Sequence, residues 1–450
     1  MTDLTRLTAT ELSVLYSTGT VSPVTVAEQV LAKIERLNPT LNAFCFTDPD
    51  TTLKQAQASK HRWQTGQPLS RLDGVPVAVK DSILTQGWPT LHGSLAIDPN
   101  QPWLEDAPAV ARLREAGAVF VGKTTVPEFA WDTKNTFSQA NGVTANPWNI
   151  KCSTGGSSGG SAVSVAANLV PVAIGTDMGG SITVPGSFCG VFGYKPSAGK
   201  VAHSPRDALN LGTPGMFAKS TVDLITTINI ISQPDLRDWF HIPSTKITTY
   251  PDSTPRSLNI GLLADIQDII NYVELGPIFD KIQNLWKTQS VTLDVQKAKK
   301  IFYNVSQPTV LHRWQNLTQE QKLLTEKRSQ KTAMLATQVD SDLYYWLTQR
   351  VNFGASINQY INKFDAIVVP ATISSAADVA GDSVPDNISP WSTLCAVVGL
   401  PSVTVPVGVD AQGLPIAIMV IGPMHGDALV LQVAQAIQKQ FPMPACPVIL

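Results

Sequence analysis

The chain has 450 residues, 43% hydrophobic and only 15% charged, against the roughly 25% charged usual in soluble domains, so extensive burial is expected and a disordered chain is excluded. Its 33 Lys and Arg nearly balance 35 Asp and Glu, and the net charge of -2 offers no electrostatic footprint for nucleic acid or an anionic membrane. A small or neutral ligand fits that balance better.

The N-terminal 20 residues lack the apolar block of a signal peptide, and no apolar run approaches the ~18 residues of a membrane span, so a cytoplasmic location is expected. Ser22 and Pro23 open a segment in which Val26, Val30, Ile34 and Leu37 recur at helical spacing, with Pro39 following its end; this predicts an amphipathic helix. Residues 72–79 form a short valine-rich run ending at a charge, which predicts a buried strand with Lys80 at its tip. Asp106 can cap a helix with Pro108 in its first turn, and Gly117 can end that helix before a strand at 118–121. From Ser153 to Gly199 the composition turns sharply to Gly, Ser and Ala, which permits tight turns and close backbone approach.

The stretch 234–331 is more polar, with one helix expected at about 275–286, and reads as a surface layer or an insertion within a variable middle of about 230–350. Strands are expected at 366–369, 402–407 and 416–421, and a helix at 428–441. Strands on both sides of the polar middle point to one sheet fed by both halves. The five cysteines (Cys45, Cys152, Cys189, Cys395, Cys446) form no C-x-x-C pair, so neither a disulfide framework nor a zinc site is expected.

Two motif matches fail on context. Residues 117–124 satisfy G-x-x-x-x-G-K-[ST], but the middle four, Ala-Val-Phe-Val, are a strand rather than an open phosphate cradle. Residues 155–159 satisfy G-x-S-x-G, yet 146–154 is a poor strand to precede a nucleophile elbow. A histidine triad is also unsupported, because none of His61, His92, His203, His241, His312 and His425 has a neighbourhood that marks it as a base.

Three segments, taken together and in order, carry chemistry: Gly74-Val-Pro-Val-Ala-Val-Lys80-Asp81, Gly155-Gly-Ser157-Ser158-Gly-Gly-Ser161, and Gly175-Thr-Asp177-Met178-Gly179-Gly180-Ser181-Ile-Thr183. A serine hydroxyl needs an adjacent base, and a lysine can serve if burial keeps its amine neutral. A second hydroxyl between them can pass the proton both ways. Gly179 and Gly180 permit a turn whose N–H groups converge on one oxygen. With Ser157 and Ser181 24 residues apart, and with 188–196 and Gly399-Leu-Pro401 agreeing, the chain resembles the amidase signature family over nearly its whole length, most strongly at 72–200.

That resemblance implies a single α/β/α domain over 1–450 with a large mixed, mostly parallel central sheet flanked by helices. It implies an amidase that hydrolyses the carboxamide of a small substrate through an acyl intermediate on Ser181. Lys80 would be the base and Ser157 the relay, reached through a cis peptide. Met178, Gly179 and Gly180 would supply the oxyanion hole, supported by Ser158, Asp177 and Thr183. No metal or organic cofactor is needed, and the partners expected are the amide and, by default, a second copy of the chain, without nucleic acid or membrane.

The family usually places Arg where this chain has Thr183, near Asp177, and Lys195 is a candidate substitute. An alternative role, the A-type subunit of a glutamine-dependent tRNA amidotransferase, would call for an acidic residue where Ser389 stands. A non-catalytic scaffold is disfavoured by the intact Lys80, Ser157 and Ser181.

Overall fold

Short apolar strands alternate with helices along the chain, and each strand that is apolar on both faces needs cover on both. The computed structural model describes residues 3–243, 245–248, 257–264, 266, 274–340, 342–379, 388–444 and 446–447. Its strands are β1 Phe44–Thr47, β2 Pro76–Lys80, β3 Val119–Thr124, β4 Phe137–Ser138, β5 Gly142–Val143, β6 Val172–Asp177, β7 Phe192–Lys195, β8 Thr213–Ala218, β9 Asn259–Leu263, β10 Lys287–Val291, β11 Ala366–Pro370, β12 Ser402–Val409 and β13 Pro415–Ile421. Eleven of them form one sheet in the order β1-β3-β2-β6-β8-β7-β12-β13-β11-β9-β10, while β4 and β5 pair by themselves.

The sheet is fed by both halves of the chain, as the strand pattern implies, but mostly parallel pairing is corrected. β3, β2 and β6 run parallel at one side, and β11, β9 and β10 at the other. The five successive pairings from β6 through β8, β7, β12 and β13 to β11 are antiparallel. Parallel neighbours need a crossover, which the helices Pro108–Glu115 (between β2 and β3) and Leu275–Leu285 (between β9 and β10) supply. Antiparallel neighbours need only a turn: between β12 and β13, the Asp410 carbonyl accepts from the Gly413 N–H, with Gly413 at φ +80.

Side chains alternate across the sheet. On β13, Ile416, Ile418 and Val420 join one apolar cluster with Val77, Val79 and Phe120, while Ala417, Met419 and Ile421 join another with Ile301, Val305 and Trp391. Two cores therefore lie back to back.

The first expected helix runs Pro23–Leu41, capped by Ser22, and holds Pro39 inside its last turn rather than beyond it; Asn42 ends it in the left-handed region. Asp106 does not cap the helix Pro108–Glu115. Its carboxylate instead accepts from the Gln86 N–H and from Arg114. Gly122, Lys123 and Thr124 lie within β3, and Lys123 donates to the Ile83 carbonyl and to Thr90 Oγ1, so no phosphate cradle exists there.

The polar middle, of which residues 244, 249–256, 265 and 267–273 lie outside the described residues, is more than a surface layer. It contributes β9 and β10, and its helix Val295–Gln315 packs on the helix Pro390–Val398 beside the second core. Among the described residues no helix is long and apolar enough to cross a membrane.

The tightest backbone approach in the first three strands is at Gly122, where a Cβ would run into the Phe46 carbonyl oxygen of β1. Because that atom is backbone, it cannot swing away. Gly122→Ala should therefore lower stability by ~1–3 kcal/mol, read as a fall in the urea midpoint at unchanged slope.

Candidate active site

Lys80 emerges from β2, whose five residues are all buried, so its amine is delivered to the carboxyl edge of the sheet without reaching bulk water. Its Nζ lies 2.7 Å from Ser157 Oγ and 3.0 Å from Thr176 Oγ1. Burial pulls the Lys80 pKa down to about 7, against the opposing pull of the Asp177 carboxylate.

Ser157 follows a cis Gly156–Ser157 peptide. Gly156 is packed so closely against the Asp132 and Asn135 carbonyls that no side chain fits, and its N–H donates to the Thr133 carbonyl. Ser158 ties this turn to the next one: its N–H donates to the Ser181 carbonyl at 3.2 Å and its hydroxyl to the Thr176 carbonyl at 3.1 Å. Ser158 thus links the Ser157 turn, the end of β6 and Ser181.

Asp177, the last residue of β6, shapes the turn that carries Ser181. Its two carboxylate oxygens accept from the N–H groups of Gly180 at 2.9 Å and Ile182 at 2.7 Å, with Gly180 at φ +124. The Gly180 N–H is therefore committed to Asp177 rather than open to a ligand. Among the described residues no protein acceptor takes the N–H of Gly179 or Ser181.

Lys195 answers the missing arginine only through space: it feels the Asp177 carboxylate, which opposes the lowering of its pKa by burial, but makes no hydrogen bond to it. Its amine donates to the carbonyls of Leu400 and Pro196, and Asp177 is met by backbone N–H groups instead. Thr183 has joined a neutral chain of hydroxyls: Thr183 Oγ1 lies 2.5 Å from Ser392 Oγ, which lies 2.6 Å from Ser389 Oγ, which donates to the Ala371 carbonyl at 2.6 Å. All three side chains are buried.

Ser181, 5% exposed, opens with Ser157, Thr176 and Met178 onto a cleft of about 1390 Å³. His92 lines the same cleft, held neutral chiefly by burial and also by the positive charge of Arg313. Among the described residues no group of three or more His, Cys, Asp and Glu side chains could hold a metal ion.

Sequence reasoning missed Thr176, although its place beside Asp177 at a strand end was a usable signal. It also missed Phe302, Tyr303 and Arg313, which reach the cleft from the helix Val295–Gln315 and carry no motif.

The amidase family model matches residues 25–279 and 272–431. The A subunit of the glutamyl-tRNA(Gln) amidotransferase of Chloroflexus aurantiacus is 31% identical, over 98% of this chain and 97% of its own length. Its counterpart of the same name from Symbiobacterium thermophilum is 32% identical, over 96% of each. In structure the chain is similar to a bacterial aryl acylamidase of the amidase signature family (TM-score 0.85, 24% identity, 96% of each chain) and to the native peptide amidase of Stenotrophomonas maltophilia (TM-score 0.82, 25% identity, 98% of each).

The names of these relatives overturn the expectation of a chain whose partners are only an amide and a second copy, without nucleic acid. Net charge is an average over the whole chain, and a balanced total excludes neither a local contact nor one supplied by another member of an assembly. The chain belongs to the amidase (amidase signature) family, whose α/β fold it shares, and acts on carbon–nitrogen bonds.

Proposed function

We propose that this chain cleaves a carboxamide by acyl transfer to Ser181, with Ser157 and Lys80 moving the proton, and that it does so as the A-type subunit of a tRNA-dependent amidotransferase. The observation that carries the chemistry is the 2.7 Å contact between Ser157 Oγ and a lysine amine whose pKa burial brings to about 7. Ser181 Oγ attacks the amide carbon and gives its proton to Ser157, whose own proton passes to neutral Lys80. The relay then runs backwards, protonating the nitrogen as the C–N bond breaks and ammonia leaves. Water repeats the cycle on the acyl-enzyme. The open N–H groups of Gly179 and Ser181, with Met178 at the start of the turn, stabilise the oxyanion, at ~3 kcal/mol for a good donor.

The amidotransferase role rests on the near full-length identity with the A subunits, and a cytoplasmic setting, where tRNA is found, goes with it. One observation favours a second reading, a free-standing amidase: Ser389, where an acid is expected for the amidotransferase role, is sealed into the neutral hydroxyl chain with Ser392 and Thr183. Purification of the tagged chain from its own cells separates the two. Further subunits and tRNA-stimulated turnover are expected for the first reading, and full amide hydrolysis by the isolated chain for the second.

Ser181→Ala and Lys80→Ala should each cut amide turnover by roughly a thousandfold or more. Fluorophosphonate labelling should disappear in Ser181→Ala; near-normal turnover in either variant would refute the assignment. Below pH about 7 Lys80 takes up a proton and can no longer accept one, so kcat/KM should fall about tenfold per pH unit on the acid side and level off above it. A pH–rate profile with no acid limb near 7 would count against Lys80 as the base.

A further inference from the structure

The turn that carries Ser157 leans on an irregular stretch of chain, and that stretch is itself held from outside. Residues 131–136 belong to no helix or strand. The Thr133 carbonyl accepts from the Gly156 N–H at 2.9 Å, the Lys134 carbonyl accepts from the Ser153 hydroxyl at 2.5 Å, and the Thr136 hydroxyl donates to the Gly155 carbonyl at 2.8 Å. The Asp132 carbonyl oxygen fills the space that a Cβ on Gly156 would need. A segment without a hydrogen-bond ladder of its own keeps such a shape only where side chains fix it.

Asp132 is that side chain. Its carboxylate is buried; one oxygen accepts from the Lys134 N–H at 2.8 Å, and the other pairs with the guanidinium of Arg328, an exposed residue in the first turn of the helix Lys327–Ala336. Burial pushes the Asp132 carboxyl up, and Arg328 pulls against it, with a smaller pull from Lys134. The same helix is pinned at its start by Glu128, whose carboxylate accepts from the Glu326 N–H at 2.9 Å and from the Ser94 hydroxyl at 2.7 Å. An ion pair at the surface contributes little, but a buried carboxylate stripped of its partner is strongly disfavoured, and moving a reacting group by ~1 Å can slow a reaction about a hundredfold. We propose that Asp132 and Arg328 are positioning residues for the relay: their ion pair presses the 131–136 stretch against Gly156 and so keeps Ser157 within hydrogen-bonding reach of Lys80.

This rests on the Ser181 cleavage reading above and adds two residues to it. Both also line the cleft, so positioning has to be separated from contact with a ligand. The probe is an alkyl fluorophosphonate, whose capture by Ser181 calls on the same proton transfer; it is applied to the full chain, with its partner proteins where they co-purify. In folded Arg328→Gln and Asp132→Ala the maximal labelling rate should fall by roughly tenfold or more, while the half-saturating probe concentration stays within about threefold. The double variant should be no slower than the slower single one, because the two residues act through each other. Arg328→Lys, which keeps the charge but not the fork, should lose only about threefold. A labelling rate within about twofold of wild type in either single variant, a loss confined to half-saturation, or losses that multiply in the double variant overturn the proposal. If Arg328→Gln does not unfold cooperatively in urea, Arg328→Lys decides, and a wild-type rate there is a refutation. If the wild type itself is not labelled, the cleavage reading fails, and crystal structures of the wild type and Arg328→Gln judge the positioning alone. A Lys80–Ser157 contact that opens beyond hydrogen-bonding reach in the variant supports it, and one kept at 2.7 Å refutes it.

Discussion

A lysine amine held out of water and set 2.7 Å from a serine hydroxyl is the constraint around which the rest of this molecule is arranged. An amine in that position has to be desolvated to be neutral near pH 7, and desolvation needs a strand buried on both faces with helices packed above and below it. β2 meets that requirement because β3 and β6 flank it and the large first core covers it. The sheet is thus part of the proposed chemistry: a looser edge around Lys80 would let water in, and the amine would return towards its ordinary, protonated state.

The second serine is placed by a different device. Asp177 commits both carboxylate oxygens to backbone N–H groups, and this wraps the turn around Ser181 and leaves the Gly179 and Ser181 amides open. Besides these backbone donors, the Asp177 carboxylate faces the amines of Lys80 and Lys195, each of which it acts on through space. Thr183, Ser392 and Ser389 then close the space behind the turn with short neutral hydrogen bonds. Thr183, where the family usually has Arg, and Ser389, where the amidotransferase subunits carry an acid, are thus joined through the one hydroxyl of Ser392.

The polar middle completes the cleft. Its helix Val295–Gln315 leans on the helix Pro390–Val398 with one side and presents Phe302, Tyr303 and Arg313 to the space above Ser181 with another. The groups proposed to react all lie before residue 200, and residues after about 290 line the cleft beside them, an arrangement in which pocket walls can vary without disturbing the proposed relay.

How much of this is legible in the sequence follows from the range of the interactions involved. The strand Pro76–Lys80, expected to start four residues earlier, and the helix Asp427–Gln440 are readable because periodicity is a local property of the chain. The three segments bearing Lys80, Ser157 and Ser181 are readable because glycines at tight turns leave a dense local signature. Asp106 is misread as a cap because its partner Arg114 competes for it only once the helix has formed. The direction of strand pairing, the commitment of the Gly180 N–H to Asp177, the hydroxyl chain through Ser392 and the approach of Arg313 to the cleft were decided by tertiary structure alone. Each joins groups by packing and hydrogen bonds across the fold, and neither composition nor spacing along the backbone encodes which distant partner a donor, a charge or a strand edge will find.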